Sequence, residues 1–336
     1  MFQTEINHWL QSYSSDIVTF IMITITRMGY QSFFTLVFVV LLFGINFRKG
    51  FYLTHILIVT YALTEILKNF FALPRPSEAD SSLKLFLKNE VNTSPFYKMG
   101  AKSFFSLPYP EVINYYRNVP GYSFGLPSGH VSSTTALWGS LYYLFKKKWI
   151  MVIGIVIIFL MMVSRMFLAK HFLADVLGGL ITGSFMVAAG CILVLKNNKI
   201  DKLIIYNNLF TLPSIQKLIQ LSYFFAFPLV LMLIPTLNYR VPAALLGFNA
   251  AYIFISIKGI PSDDGTIIQR SSRVILGVVI YLLLSIILTN LIEIINIDGR
   301  LILFIKTFVT IMFMIILTIG LGLKFNLYNN EKSGGS

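Results

Sequence analysis

Three short polar stretches interrupt an otherwise apolar chain, and together they hold the residue types that phosphoryl transfer needs. Lys68 and Arg75, followed by Pro76, form the first; Pro127-Ser128-Gly129-His130 is the second; Ser164, Arg165, His171 and Asp175 make the third. An arginine, a histidine and an aspartate are costly at the edge of a membrane segment, so their placement there points to function. Phosphoryl transfer asks for cations on the non-bridging oxygens, an in-line nucleophile and a proton donor for the leaving oxygen. Lys68, Arg75 and Arg165 supply the cations, the two arginine forks matching phosphate geometry. Ser128 and Gly129 open a helix whose unpaired N–H groups and dipole favour an anion, and Gly129 permits close approach. His171 and Asp175, four apart at a helix start, share one face, where the carboxylate fixes the imidazole tautomer and raises its nucleophilicity. His130, on a different helix, is free to protonate the departing oxygen. Such a set needs neither metal nor cofactor.

Each piece taken alone has a plainer reading. Lys68 and Arg75 can be snorkelling anchors at a helix end, Pro-Ser-Gly a simple helix start, and His171 with Asp175 a structural hydrogen bond. What favours a site is that all three stretches are expected at one membrane face. Glu65, three before Lys68, reads as a structural counter-ion, and His8 and His55 as bystanders.

The elements that must position these residues are membrane helices. With 336 residues, 56% hydrophobic, 12% charged and a mean hydropathy of +0.75, the chain reads as an all-α integral membrane protein, a multipass helical bundle. Its apolar residues run in windows of about 20, as a helix crossing requires, and do not alternate as barrel strands do. Spans are expected at 30–46, 51–68, 130–145, 149–165, 172–195, 219–236, 241–257, 273–291 and 302–322, which makes nine crossings. The inner connections then carry Arg48 and Lys49, Lys146 to Lys148, Lys196, Lys199 and Lys202, and Lys258, Arg270 and Arg273. By the positive-inside rule this puts the three polar stretches outside and the C-terminus in the cytoplasm.

The sequence divides into an N-terminal interfacial segment (1–29), a core (30–200) with a long outer loop (77–126), a three-span extension (201–325) and a tail (326–336) ending in the linker-like Ser333–Ser336. The outer loop is rich in aromatic residues, which argues against full disorder and suits a lid. The first 16 residues hold Glu5 and Asp16 and no lysine or arginine, unlike a cleavable signal. The net charge of +13 is spread through short loops, which suits a lipid bilayer and argues against a nucleic-acid partner. Cys191 stands alone, so no internal disulfide or thiolate cluster is available. Asn92-Thr-Ser94 fits a glycosylation sequon without further support. No GxxxG pairing motif offers a basis for dimerisation, and the oligomeric state stays open.

The three stretches meet the patterns K-x6-RP, PSGH and SR-x5-H-x3-D in order and without a substitution, and in this the chain resembles the PAP2 superfamily, the type 2 phosphatidic acid phosphatases. The resemblance covers roughly residues 1–200. It implies a six-span core and a metal-independent phosphatase working through a phosphohistidine. His171 would be the nucleophile, His130 the general acid, Asp175 the partner of His171, and Lys68, Arg75, Ser128, Gly129 and Arg165 the phosphate binders. Three further C-terminal spans make a nine-span layout similar to the glucose-6-phosphatase branch. The expected activity is removal of phosphate from a membrane lipid phosphate or diphosphate, of the phosphatidate, phosphatidylglycerophosphate, polyprenyl diphosphate or lipid A type. The site would face outward from a bacterial cytoplasmic membrane. Alternatives are hydrolysis of a soluble sugar phosphate, transfer of the phosphoryl group to an acceptor hydroxyl, and transport of an anion.

Overall fold

A computed structural model describes residues 1–87, 91–190, 218, 221–295 and 299–328, and among them the chain is helical with no strand element. It divides into two compact units, residues 1–34 with 59–192 and residues 35–58 with 193–336. The protein is an integral, multipass membrane protein: six described helices are long and apolar enough to cross a bilayer.

The first unit begins with two amphipathic helices, α1 (Glu5–Ser12) and α2 (Asp16–Arg27). Ser15 caps α2 by accepting the Val18 N–H at 3.3 Å, and Asp16 sits in its first turn, where the helix dipole favours negative charge. A bend of 55° separates α2 from α3 (Gln31–Val39), whose helix continues as a π-helical turn to Ile45. Then comes α4 (Phe47–Phe71), divided between the units at residues 58 and 59. The stretch after it holds two short helices, α5 (Pro76–Ala79) and α6 (Pro110–Arg117), each with proline at its first position. Three helices complete the unit: α7 (Gly129–Phe145), α8 (Lys148–Phe167) and α9 (Leu173–Val187). Helix α7 packs on both α8 and α9. It approaches α9 closely because Gly179 and Gly183 leave no side chain in the way. A Cβ on either would stand 2.6 Å from the Ser128 carbonyl or 2.5 Å from that of Ser132. These glycines are a GxxxG pair used inside the chain, a spacing that the sequence reading passed over.

The loop expected at 77–126 has its own small core. Leu73, Ala79, Ala101, Val112 and Ile113 cluster with Phe2 and with Phe172, the residue after His171. The Asn92 amide donates to the carbonyls of Ser77, Asp80 and Leu83, so its role is to hold the loop.

The second unit centres on the first half of α4, whose Phe47 and Phe51 pack with Phe224, Phe248, Tyr252, Met314 and Ile315. Its other helices are α10 (Phe227–Met232, after a π-helical turn Ser222–Ala226), α11 (Arg240–Lys258), α12 (Ile267–Ile295) and α13 (Arg300–Lys324). Asp263 caps α4 by accepting the Phe47 N–H at 2.8 Å and the Asn46 amide at 2.7 Å. His55 lies buried against the Asn249 side chain at 2.6 Å. These contacts hold the unit together and make His55 a structural residue.

The expected count of nine crossings is not borne out. Six described helices qualify, or seven if the bent pair Asp16–Arg27 with Gln31–Ile45 is one span. Helix α7 falls short of the length, and its buried residues include Ser132, Ser133, Thr134, Thr135 and Ser140 beside Val131, Ala136 and Leu137. It is flanked by protein on two sides, so its sequence need not be as apolar as a lipid-facing helix. The span expected at 219–236 is a shorter apolar helix, Ser222–Met232, broken by its π-turn and Pro228. The end of the span 172–195, Cys191, the basic loop of Lys196, Lys199 and Lys202, residues 219 and 220, and Ser333–Ser336 lie outside the described residues.

Candidate active site

All eight residues singled out in the sequence lie in the first unit. Lys68 sits near the end of α4, 9% exposed, with its ammonium 2.7 Å from Glu65 Oε1. One turn earlier, Thr64 Oγ1 and Ser132 Oγ meet at 2.8 Å and bind α4 to α7. This register puts Lys68 Nζ 3.5 Å from where a Cβ on Gly129 would stand. Helix α4 ends before Pro74 and Pro76, because the first lacks a helical N–H and both disfavour helix in the preceding residue. Arg75 therefore leaves the helix. Its guanidinium donates from Nε to the Ser123 carbonyl at 2.8 Å and from Nη2 to Ser123 Oγ at 2.9 Å, and its backbone N–H donates to the Tyr122 hydroxyl at 3.2 Å.

The Gly125 N–H donates to the Leu73 carbonyl at 2.8 Å, which brings the second stretch beside the first. Gly125 has no room for a side chain: a Cβ would stand 2.8 Å from Asp175 Oδ2 and 3.0 Å from the Pro74 carbonyl. The Ser128 N–H donates to the Asp175 carbonyl at 2.8 Å. This corrects the expectation that the N–H groups of both Ser128 and Gly129 face an anion. The Ser128 amide is spent on joining α7 to α9, while Gly129, in the first turn, keeps its amide outside the helix ladder. The Ser128 hydroxyl is buried without a hydrogen-bond partner among the described residues.

Arg165 closes α8 and is 4% exposed; its Nη1 donates to Thr26 Oγ1 at 2.8 Å. His171 precedes α9, where Asp175 completes the first turn. The carboxylate accepts the Phe172 N–H at 2.9 Å through Oδ2, the same oxygen that faces His171 Nδ1 at 3.3 Å. A carboxylate can only accept, so Nδ1 carries the proton and Nε2 keeps its lone pair. Burial, and then the charges of Arg165, Arg75 and Lys68, hold the His171 imidazole well below its ordinary pKa, hence neutral.

Four side-chain atoms here are buried without a hydrogen-bond partner among the described residues: Ser128 Oγ, His130 Nε2, Arg165 Nε and Asp175 Oδ1. Orphaned polar atoms are uncommon in folded proteins because each costs about 1–3 kcal/mol. Arg165, Lys68 and Arg75 all lie within Coulombic range of His130 as well as of His171. The arrangement can bind a compact anion between cations and two neutral imidazoles.

Several residues that support this geometry went unnoticed in the sequence. Asn7 on α1 donates to the carbonyls of Met166 (2.7 Å) and His171 (3.1 Å), while Gln11 donates to that of Phe167 at 2.9 Å. His8, read as a bystander, meets Asp80 at 2.9 Å and ties α1 to the 77–126 loop. Ser164 Oγ donates to the Met22 carbonyl at 2.7 Å. The available signal was local: Asn7 and Gln11 are polar residues four apart on the buried face of an amphipathic helix.

Fold and site thus define an all-helical membrane protein with a buried cationic, two-histidine centre. The PAP2 superfamily model matches residues 49–199. Among solved structures, the "first transmembrane PAP2 type phosphatidylglycerolphosphate phosphatase from Bacillus subtilis" is similar at 20% identity, with a TM-score of 0.42, over 58% of this chain and 86% of that one. No curated protein matches.

Proposed function

We propose that the protein is a membrane phosphatase that removes phosphate from a lipid phosphate or diphosphate through a phosphohistidine. The observation that carries this reading is the convergence of orphaned, buried polar atoms (Ser128 Oγ, His130 Nε2, Arg165 Nε) with three cations around a histidine whose tautomer is fixed. The match of the PAP2 superfamily model to residues 49–199 supports it.

In the proposed reaction, Lys68, Arg75 and Arg165 hold the non-bridging oxygens, joined by the Ser128 hydroxyl and the Gly129 N–H. His171 Nε2 attacks phosphorus in line; an N–P bond forms as the P–O bond to the lipid breaks. Asp175 stabilises the positive charge that develops on the ring. His130, protonated once the phosphate anion offsets the surrounding cations, gives its proton to the leaving oxygen. Water then attacks phosphorus with His130 as base, the N–P bond breaks, and inorganic phosphate leaves. No step calls for a metal. A lipid fits because the candidate site lies at helix ends, where a headgroup can enter while its tail stays in the bilayer. The sugar-phosphate alternative drew on a nine-span layout that the described helices do not reproduce.

The test is a panel of phosphatidate, phosphatidylglycerophosphate, polyprenyl and sugar phosphates, run on detergent-solubilised wild type and His171→Ala with and without EDTA. Phosphate release from a lipid member, absent in His171→Ala and unchanged by EDTA, is expected. Release from sugar phosphates alone would overturn the lipid assignment, and wild-type turnover in His171→Ala would overturn the nucleophile.

A further inference from the structure

The break between α2 and α3 enters the candidate site, although nothing in the three motifs reaches it. Thr26, in the last turn of α2, is buried and accepts Arg165 Nη1 through its hydroxyl at 2.8 Å. Tyr30, four residues on, lies on the same side of the site. Its ring meets that of His130 edge-on, with centroids 5.0 Å apart. Between them Gly29 makes room for His130: a Cβ there would stand 2.2 Å from His130 Cδ2. One short segment therefore touches both the buried arginine and the second histidine.

The chemistry of the partners matters more than their number. A buried arginine is ordinarily paired with a carboxylate, and among the described residues Arg165 has no salt bridge. Its side-chain hydrogen bond goes to a hydroxyl, that of Thr26. A neutral oxygen fixes the direction of the guanidinium while leaving its charge uncancelled, and Nε stays without a partner among the described residues. A carboxylate in its place would compete with any phosphate. Fixing the direction of a fork counts most where oxygens must be held in the trigonal-bipyramidal geometry of transfer.

From this we infer that Thr26 and Tyr30 are positioning residues for phosphoryl transfer: Thr26 acts through Arg165, and Tyr30 acts through His130, against whose ring it packs. The inference rests on the phosphatase reading and adds an N-terminal segment to its machinery. It predicts a loss in the chemical step while ground-state binding is spared.

The experiment compares wild type with Thr26→Val, Thr26→Ser and Tyr30→Leu on the lipid phosphate that the panel identifies, measuring kcat, KM, melting temperature and inhibition by orthovanadate, a mimic of the transition state. Thr26→Val keeps the shape of threonine, Thr26→Ser keeps the hydroxyl, and Tyr30→Leu removes the ring. Thr26→Val and Tyr30→Leu should each lower kcat about tenfold, less than loss of a direct contact, with KM within about twofold. Vanadate should weaken in step with kcat, and Thr26→Ser should recover most of the rate. The inference is overturned if both variants stay within about twofold of wild type. It is equally overturned if Thr26→Ser is as impaired as Thr26→Val, or if the kcat losses follow melting temperature in a variant series. His171→Ala keeps the two readings apart: phosphate release that survives it sinks the phosphatase mechanism, and vanadate binding by the Thr26 pair then decides the role of the clamp.

Discussion

At the scale of single residues, the proposed chemistry depends on a histidine that stays unprotonated among cations. Burial and the nearby Arg165, Arg75 and Lys68 hold His171 below its ordinary pKa, so the neutral, nucleophilic form persists to lower pH than for a free histidine. The acid limb of kcat/KM, which reports the free enzyme, should fall below the ordinary value of about 6.5 once the substrate's own ionisation is allowed for. Rate profiles from pH 4 to 8 on a lipid phosphate check this; an acid limb above that value would contradict the assigned environment. Gly125 carries a second prediction. Any Cβ there collides with the Asp175 carboxylate and the Pro74 carbonyl, neither of which is a flexible tip with open space around it. Gly125→Ala should displace Asp175 and with it His171, lowering kcat by about 10²-fold, the cost of a misplacement near 1 Å. The charged and histidine motif residues were legible because each is a type that is costly at a membrane edge, and Ser128 and Gly129 because they open a helix. Thr26 and Tyr30 were not, because a threonine and a tyrosine near a helix end cost nothing there and their partner is 139 residues away in the case of Thr26.

Among elements, helix positions followed from apolar windows of about 20 residues. The expected 51–68, 149–165, 241–257 and 302–322 lie inside Phe47–Phe71, Lys148–Phe167, Arg240–Lys258 and Arg300–Lys324. Pattern reading failed where no such window exists: α1 and α2 were merged into one interfacial segment, and the small core of the 77–126 loop was unseen. The reason is physical, since α1 is stabilised by bonds from Asn7 and Gln11 to carbonyls in the turn that carries His171, not by an apolar window. Asn7→Ala would leave the His171 carbonyl without that donor, at about 1–3 kcal/mol, while the Met166 carbonyl keeps the Ala169 N–H at 3.0 Å. We expect a lower melting temperature together with a reduced kcat, because the backbone of the nucleophile is then held less firmly. Asn7→Ala with wild-type kcat would show that α1 braces the fold alone.

For the whole molecule, the question is which side of the membrane the candidate site faces. In the first unit, α7 runs from Gly129 at the site to the turn holding Lys146, Lys147 and Lys148, and α8 returns from that turn to Arg165. At about 1.5 Å per residue, 17 residues put the lysine turn about 25 Å from Gly129 along the helix. Helix α4 repeats the arrangement, with Arg48 and Lys49 at its start and Lys68 near its end. Lysine and arginine in short turns prefer the cytoplasm, which orients the site outward, a placement we propose on this asymmetry. The cations of the site itself weigh less, because Lys68 and Arg165 are buried and Lys68 and Arg75 are bonded to local partners, Glu65 and Ser123. Cys191 is the one cysteine of the sequence, so a Cys191→Ser background frees thiol labelling for the test. Ser103 in the 77–126 loop and Lys147 in the lysine turn are both exposed. An impermeant maleimide should label Ser103→Cys in intact cells and Lys147→Cys only after the membrane is opened, in variants that still release phosphate. The opposite pattern would place the site in the cytoplasm and redirect the search for its substrate to lipid phosphates of the inner leaflet.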